Sequence, residues 1–206
     1  MYALVESGTI TKYFNHPKGF TLGDLQYPAD IFMKWSVEEK EAIGIHEVVF
    51  DNSNFKDETW YINTNQTFAF VDGTVTASYG TATPKAHADS LWTQQDSDDG
   101  DLPSDKSVGD LKTEGLKTTL IRTLKQQVSG ILNDTDWYIT RNSEKSTAIP
   151  SSISTHRDLV RTKQAAMEAQ ITGASDTPAL ETLYTYTKQE DGSVTKPLGE
   201  LPVLES

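Results

Sequence analysis

Over roughly the first 85 residues the apolar positions tend to recur every second residue, the period of a strand with one face buried. Tyr2-Ala3-Leu4-Val5 and Thr9-Ile10-Thr11-Lys12-Tyr13-Phe14 flank Glu6-Ser7-Gly8, and this short glycine-containing turn predicts a hairpin. Thr59-Trp60-Tyr61-Ile62, Thr67-Phe68-Ala69-Phe70-Val71 and Thr74-Val75-Thr76-Ala77-Ser78-Tyr79 read as further strands. Asp72-Gly73 joins the last two as a two-residue turn, in which both positions need positive φ. Ser36 opens Val37–Ile43 with the S-x-x-E spacing of a helix capping box, Gly44 closes that helix, and Ile45–Phe50 returns to strand. Residues 15–35, punctuated by Pro17, Gly19, Gly23 and Pro28, predict no regular element. The expectation for 1–92 is a small antiparallel β-domain with one short helix. Tyr13, Phe14, Trp60, Tyr61, Phe68 and Phe70 are its expected core.

Residues 93–107, TQQDSDDGDLPSDKS, break the pattern and read as an acidic linker or surface loop. After it the period changes to 3.6. Val108, Leu111, Leu116, Leu120, Ile121, Leu124, Val128, Ile131 and Leu132 predict one long amphipathic helix over 108–132, in which Gly115 costs about 1 kcal/mol relative to alanine. Asn133-Asp134-Thr135 ends it and caps a second helix over 136–146; Pro150 breaks the chain again. A third helix, 153–171, carries Ile153, His156, Val160, Met167 and Ile171 on one face. The fold class is therefore α+β, with a helical module over 108–174 made of a helical hairpin plus a third helix. From 175 to 206 the chain opens with a helical turn at Thr177-Pro178. It continues as an extended C-terminal arm, Lys188–Ser206, too poor in apolar residues to fold alone and expected to dock Leu198, Leu201, Val203 and Leu204 on a neighbouring subunit.

Composition narrows the function. Thirty acidic residues against 18 basic ones give a net charge of −12, and no window clusters more than two or three Lys or Arg. Such a surface repels phosphate backbones, so nucleic acid is not an expected partner. No apolar run approaches the length of a membrane span, and MYALVESGTI lacks the basic start and apolar stretch of a signal peptide, so no membrane partner is expected either. The absence of cysteine removes disulfides, thiolate nucleophiles and thiolate-bound metals. The acidic run fails the calcium-loop test: counting from Asp96, Gly100 falls at position 5 and Ser107 at position 12. His16, His46, His87 and His156 are scattered, and no nucleophile, phosphate-loop or dinucleotide motif is present. No catalytic residue, cofactor site or metal site is assigned, and the expectation is a protein that is not an enzyme.

One stretch stands apart: Asp134-Thr135-Asp136-Trp137-Tyr138-Ile139-Thr140-Arg141-Asn142-Ser143-Glu144, then Ala148-Ile149-Pro150, then His156-Arg157-Asp158-Leu159-Val160-Arg161. Trp137 and Arg141 lie one helical turn apart, so the guanidinium can cover the indole. Glu144 can pair with Arg141, Ile149-Pro150 seats the corner, and Arg157 opens the third helix toward the pair. A helix–loop–helix corner with no further role explains the same residues. The order T-D-W-Y-x-x-R-x-x-E…I-P…R-x-x-V-R nevertheless resembles the C-terminal helical module of tailed-bacteriophage tail and tail-fibre-assembly-like proteins, over about residues 115–172. His156 stands where that family more often has Tyr. The opening strand pair ending in Tyr13-Phe14 also looks like the small N-terminal domain of such proteins. The resemblance implies a structural virion component, made in the host cytoplasm and present in multiple copies in a symmetric assembly with other phage tail or fibre proteins. Trp137, Arg141, Ile149, Pro150 and Arg157 would be its structural or interface residues, with Trp137 expected to be largely buried between the long helix and the third one. A non-virion tail-fibre assembly chaperone is the alternative, and a glycan-degrading tail enzyme a more distant one.

Overall fold

The computed structural model describes residues 1–204 and divides the chain into two compact units, Met1–Thr83 and Pro84–Ser206. The end of the arm, residues 205–206, lies outside the described residues. The first unit contains β1 (Tyr2–Glu6), β2 (Thr9–Phe14), β3 (Phe20–Leu22), β4 (Leu25–Tyr27), α1 (Ile31–Lys34), α2 (Val37–Glu41), β5 (Ile45–Asp51), β6 (Tyr61–Ile62), β7 (Thr67–Val71) and β8 (Thr74–Ser78). The two-residue strand β9 (Thr83–Pro84) spans the boundary. The second unit contains β10 (Ser90–Leu91), α3 (Gln94–Asp98), β11 (Leu111–Thr113), α4 (Leu116–Asn133), α5 (Asp136–Lys145), α6 (Ser151–Gly173), α7 (Thr177–Tyr184), β12 (Thr187–Lys188) and β13 (Val194–Thr195). The architecture is α+β.

Both tight hairpins form where the turn residues predict them. Ser7 and Gly8 have φ of 50° and 76°, and Asp72 and Gly73 have 50° and 81°, the backbone that matches strand twist in two-residue loops. The Ser36 capping box is complete: its hydroxyl accepts from the Glu39 amide at 3.2 Å, and the Glu39 carboxylate accepts from the Ser36 amide at 2.8 Å. Gly44 is required beyond its φ of +80°, since a Cβ there would collide with the Val5 carbonyl. The Val5 amide in turn donates to Gly44 O at 2.7 Å.

The sheet runs β2-β1-β5-β8-β7, and its β5–β8 pair is parallel, so the expected antiparallel sheet is in fact mixed. The chain between β5 and β8 is long enough to bring β8 back in the same direction, and the apolar pattern alone does not specify that crossover. A register shift at Leu4/Val5 adds twist, and the sheet curls until the ring of Tyr13 on β2 lies 4.7 Å from that of Phe68 on β7. Alternation along β1 then fills two cores. Ala3 and Val5 pack with Val48, Val75 and Ala77 on one face. Leu4 packs with Phe14, Phe20, Ile31, Phe32 and Ile45 on the other. That second core depends on residues 15–35, where the sequence predicts nothing regular. The β3–β4 hairpin and the single turn α1 form there because Phe20, Ile31 and Phe32 are buried through them. Of the expected aromatic core, Phe14 and Trp60 are buried, Tyr61, Phe68 and Phe70 partly so, and Tyr13 is largely exposed.

In the second unit the acidic segment 93–107 lies within the excursion between the paired strands β10 and β11. It begins with a capped helical turn. Thr93 accepts from the Asp96 amide, the Asp96 carboxylate accepts from the Thr93 amide at 2.8 Å, and the Asp101 and Leu102 amides donate to Asp96 O. The boundary between compact units falls at 83/84, nine residues before the expected linker. The long helix also starts later than its periodicity predicts. Residues 108–115 are not helical, and Leu111–Thr113 pair as β11. Gly115 is the residue before the first helical turn, where the Ala88–Asp89 backbone approaches so closely that a Cβ would collide with it. The Asp89 carboxylate caps this start, accepting from the Gly115 amide at 2.7 Å and the Thr118 hydroxyl at 2.9 Å. The helix at 136 forms as expected, the third helix starts at Ser151 and ends at Gly173, two residues beyond its expected span at each end, and α4 packs along α6. Leu124 and Val128 are buried on α4; Ile153, His156, Arg157, Val160, Met167 and Ile171 are buried on α6.

Candidate functional site: a locked helical corner and its C-terminal strap

The turn from α4 into α5 leaves carbonyls at the end of one helix beside the start of the next, and Arg157 from α6 fills that space. Its Nη1 donates to Leu132 O at 2.7 Å and to Thr135 Oγ1 at 2.6 Å, and its Nη2 pairs with Asp136 at 2.8 Å. Thr135, itself buried, donates its hydroxyl to Leu132 O at 3.0 Å. A cation suits this place, because the carboxyl end of α4 carries partial negative charge and Asp136 adds a full one. The arginine is nearly fully buried, with each contact charge-assisted. Arg157 therefore locks the α4–α5 corner instead of reaching toward Trp137 and Arg141.

Trp137 departs from expectation. The sequence suggests a buried indole, yet its side chain is 51% exposed. With Arg157 occupying the corner, the indole lies outside it, on α5. Its ring centroid is 3.8 Å from that of Tyr138, and the Arg141 guanidinium covers both rings, at 4.7 Å and 5.5 Å. The predicted Trp137–Arg141 stack is present, whereas Arg141 makes no ion pair with Glu144, and its buried Nε has no hydrogen-bond partner among the described residues. Pro150 stands immediately before α6 in extended conformation, and Ile149 is half-buried beside it. Ile139, also on α5, is exposed.

The C-terminal arm is not an extended segment waiting for a neighbour. Thr187–Lys188 pair with Val194–Thr195, and the chain then returns over its own helices as a strap. Leu198 is 1% exposed, and its amide donates to Leu183 O at 3.0 Å. Lys196 pins the strap beside Tyr186 and Glu200, at 3.1 Å and 3.0 Å, while Tyr186 donates to Glu200 at 2.6 Å. Burial of Lys196 works against its charge, but the bonds to Tyr186 and Glu200 outweigh this and raise its pKa. The Tyr186 bond, then the Lys196 bond, hold that of Glu200 down. Burial pushes the Tyr184 phenol up. Between strap and helices lies a cavity of about 500 Å³, lined by Leu120, Leu124, Met167, Tyr184, Lys196 and Leu198 among others. Of the four side chains expected to dock on a partner, Leu198 is thus buried within its own unit and Leu201 is partly covered. Val203 is 85% exposed, and Leu204 is also exposed. The apolar content of the arm suffices because α4, α6 and α7 supply the other half of the contact.

Among the described residues no group of three or more His, Asp or Glu side chains is arranged to hold a metal, and no helix is long and apolar enough to cross a membrane. The sequence singled out Trp137, Arg141 and Arg157 but missed Thr135 and Asp136 as the partners of Arg157. The signal was their position at a helix junction, one turn after Leu132. No protein-family model, no curated protein and no solved structure matches the chain.

Proposed function

We propose that the chain is a structural component of a tailed-phage virion, in the tail or associated with its fibres, and that it works through protein–protein contacts without catalysis. The observation that carries the contact reading is the division of labour in the DW…R…IP…R segment. Thr135, Asp136 and Arg157 are spent on an internal lock, while Trp137, Tyr138 and Arg141 stand outside it as an aromatic–cationic cluster. Trp, Tyr and Arg are the side chains that most often dominate protein interfaces, and a rigid base lowers the entropy cost of presenting them. The phage assignment rests on the resemblance of that segment to tail and tail-fibre-assembly-like proteins. Several copies in a symmetric tail assembly, with other tail or fibre subunits as partners, follow from the same reading. Mass spectrometry of purified particles tests it: the intact chain should be present at a fixed ratio to a tail subunit.

A specific observation favours the second reading, a fibre-assembly chaperone that leaves before maturation. Because the strap closes on its own helices, the unit needs no permanent neighbour to cover Leu198. Presence in infected-cell extracts with absence from purified particles would select the chaperone.

A further inference from the structure

The strap closes over the helices without filling the space beneath it. The cavity of about 500 Å³ left there is walled by Leu120, Leu124 and Ile131 of α4, Met167 of α6, and Leu198 and Leu201 of the strap. One apolar wall is thus assembled from three distant parts of the chain. Its volume lies within the range of small-molecule sites, about 300–1,000 Å³, and water finds few polar partners along such a wall. Two charged side chains border the same space, Lys196 and Glu200. The Lys196 side chain is 13% exposed, and its ammonium spends two of its three N–H groups, on Tyr186 at 3.1 Å and on Glu200 Oε1 at 3.0 Å. The third N–H has no acceptor oxygen among the described residues. A largely buried donor left over in this way is satisfied by whatever oxygen enters the cavity.

The charges around that donor select the ligand. An anion placed on Lys196 would stand beside the Glu200 carboxylate, on a chain whose net charge is −12. A cation placed on Glu200 would meet Lys196, bonded to the same carboxylate, and Lys163, which lies against Gly199. A neutral oxygen meets neither penalty and still accepts a charge-assisted bond. We propose that the cavity binds a neutral amphiphile: a molecule whose aliphatic body covers the wall of leucines and Met167 and whose uncharged oxygen, from an alcohol or an ester, accepts from Lys196. Covering that wall removes apolar surface from water and supplies most of the affinity. The inference goes beyond the contact reading and does not rest on it.

The chain's three methionines supply the readout. Met167 is in the cavity wall, whereas Met1 and Met33 belong to the other compact unit. In the full chain, labelled with carbon-13 at the methionine methyls, n-octanol should shift the Met167 signal and leave the other two in place, with a Kd below about 1 mM. The charged probes of the same length, n-octanoate and n-octylammonium, should each bind at least about fivefold more weakly. Leu120→Trp puts an indole into the cavity; it should keep the helical signal and weaken n-octanol binding at least about tenfold. If that variant unfolds, Gln127→Trp, at an exposed position bordering the same space, decides the point with the same expected loss. No Met167 shift at saturating n-octanol, equal shifts at all three methionines, a charged probe that binds as tightly, or a folded filling variant with unchanged affinity would each overturn the proposal. Absence of the protein from virions would overturn the virion reading and leave this one standing.

Discussion

Strand β1 and helix α4 are each central to their own unit, yet β1 buries three consecutive residues, Ala3, Leu4 and Val5, whereas α4 buries only Leu124 and Val128 of its 18. A strand inside a curled sheet can be covered on both faces, by the opposite side of the curl and by whatever packs outside. A helix presents one stripe, and here that stripe is narrow. The helical unit makes up the difference with a polar lock at Arg157 and an apolar strap at Leu198, both supplied by distant parts of the chain. Stability in the sheet unit should therefore reside in apolar packing, and in the helical unit in a few closures.

The sharpest trial of the first half is Phe14→Ala. Phe14 is fully buried, 4.9 Å from the Phe20 ring and 5.2 Å from that of Phe32, so its loss should cost about 3–5 kcal/mol. Hydrogen exchange should show the lost protection across β1, β2 and β5. A cost under about 1 kcal/mol would mean that the outer core is dispensable and the comparison wrong.

For the helical unit, Leu198→Ala should cost about 2–4 kcal/mol, read from urea unfolding followed at 222 nm. By the same logic a chain cut after Thr187 should be destabilised, not merely deprived of a docking arm. Arg157→Met should cost somewhat less, about 2–3 kcal/mol. It removes the charge but leaves Leu132 O and the half-exposed Asp136 to find water. If Arg157→Met were neutral while Leu198→Ala was not, the polar lock would drop out of the account and only the strap would remain.

What could be read in the sequence was local. The Ser7-Gly8 and Asp72-Gly73 turns, the Ser36–Glu39 capping box and the apolar face of α6 are each specified by residues a few positions apart, and each is present. What could not be read depends on contacts between distant residues. Val108 and Leu111 fit the helical period of α4, but Val108 lies in a turn and Leu111 in β11, because Gly115 and the Ala88–Asp89 backbone fix the helix start. The acidic run reads as either a linker or a surface loop, and its composition does not show that the Asp96 carboxylate bonds to the Thr93 amide and orders a turn. Trp137 is half-exposed, because the corner between the helices is occupied by an arginine. At the candidate site the sequence supplied the stack but neither the partners of Arg157 nor the cavity at Leu198, which needs the returning strap to form its wall.

Trp137 gives a smaller but discriminating effect. Because the indole is half-exposed and bonded only through ring contacts, Trp137→Ala should cost under about 1 kcal/mol of stability. If the aromatic cluster is a contact surface, the same variant should fold normally and incorporate poorly into particles. A loss of several kcal/mol in the isolated protein would return Trp137 to a structural role and remove the main support for the contact reading.

The smallest effect is confined to the acidic turn. A hydrogen bond from Lys112, then hydrogen bonds from the Thr93 hydroxyl and amide, hold the Asp96 carboxyl down at about 2, against an ordinary 3.8. A pKa depressed in the folded chain means that the charged form stabilises the fold. The contribution is complete above about pH 4, where the unfolded group is also ionised, and disappears as pH falls through about 2. Carbon-13 titration of the Asp96 carboxyl should place its midpoint near 2, and Lys112→Met should move it upward toward 3.8. Amides of Asp101 and Leu102, which donate to Asp96 O, should lose protection over the same interval. A wild-type midpoint near 4, unmoved by Lys112→Met, would show that the turn is not held by its charges. The segment would then revert to the solvated linker its composition suggests, and the helical unit would lose one of the closures that set it apart from the sheet.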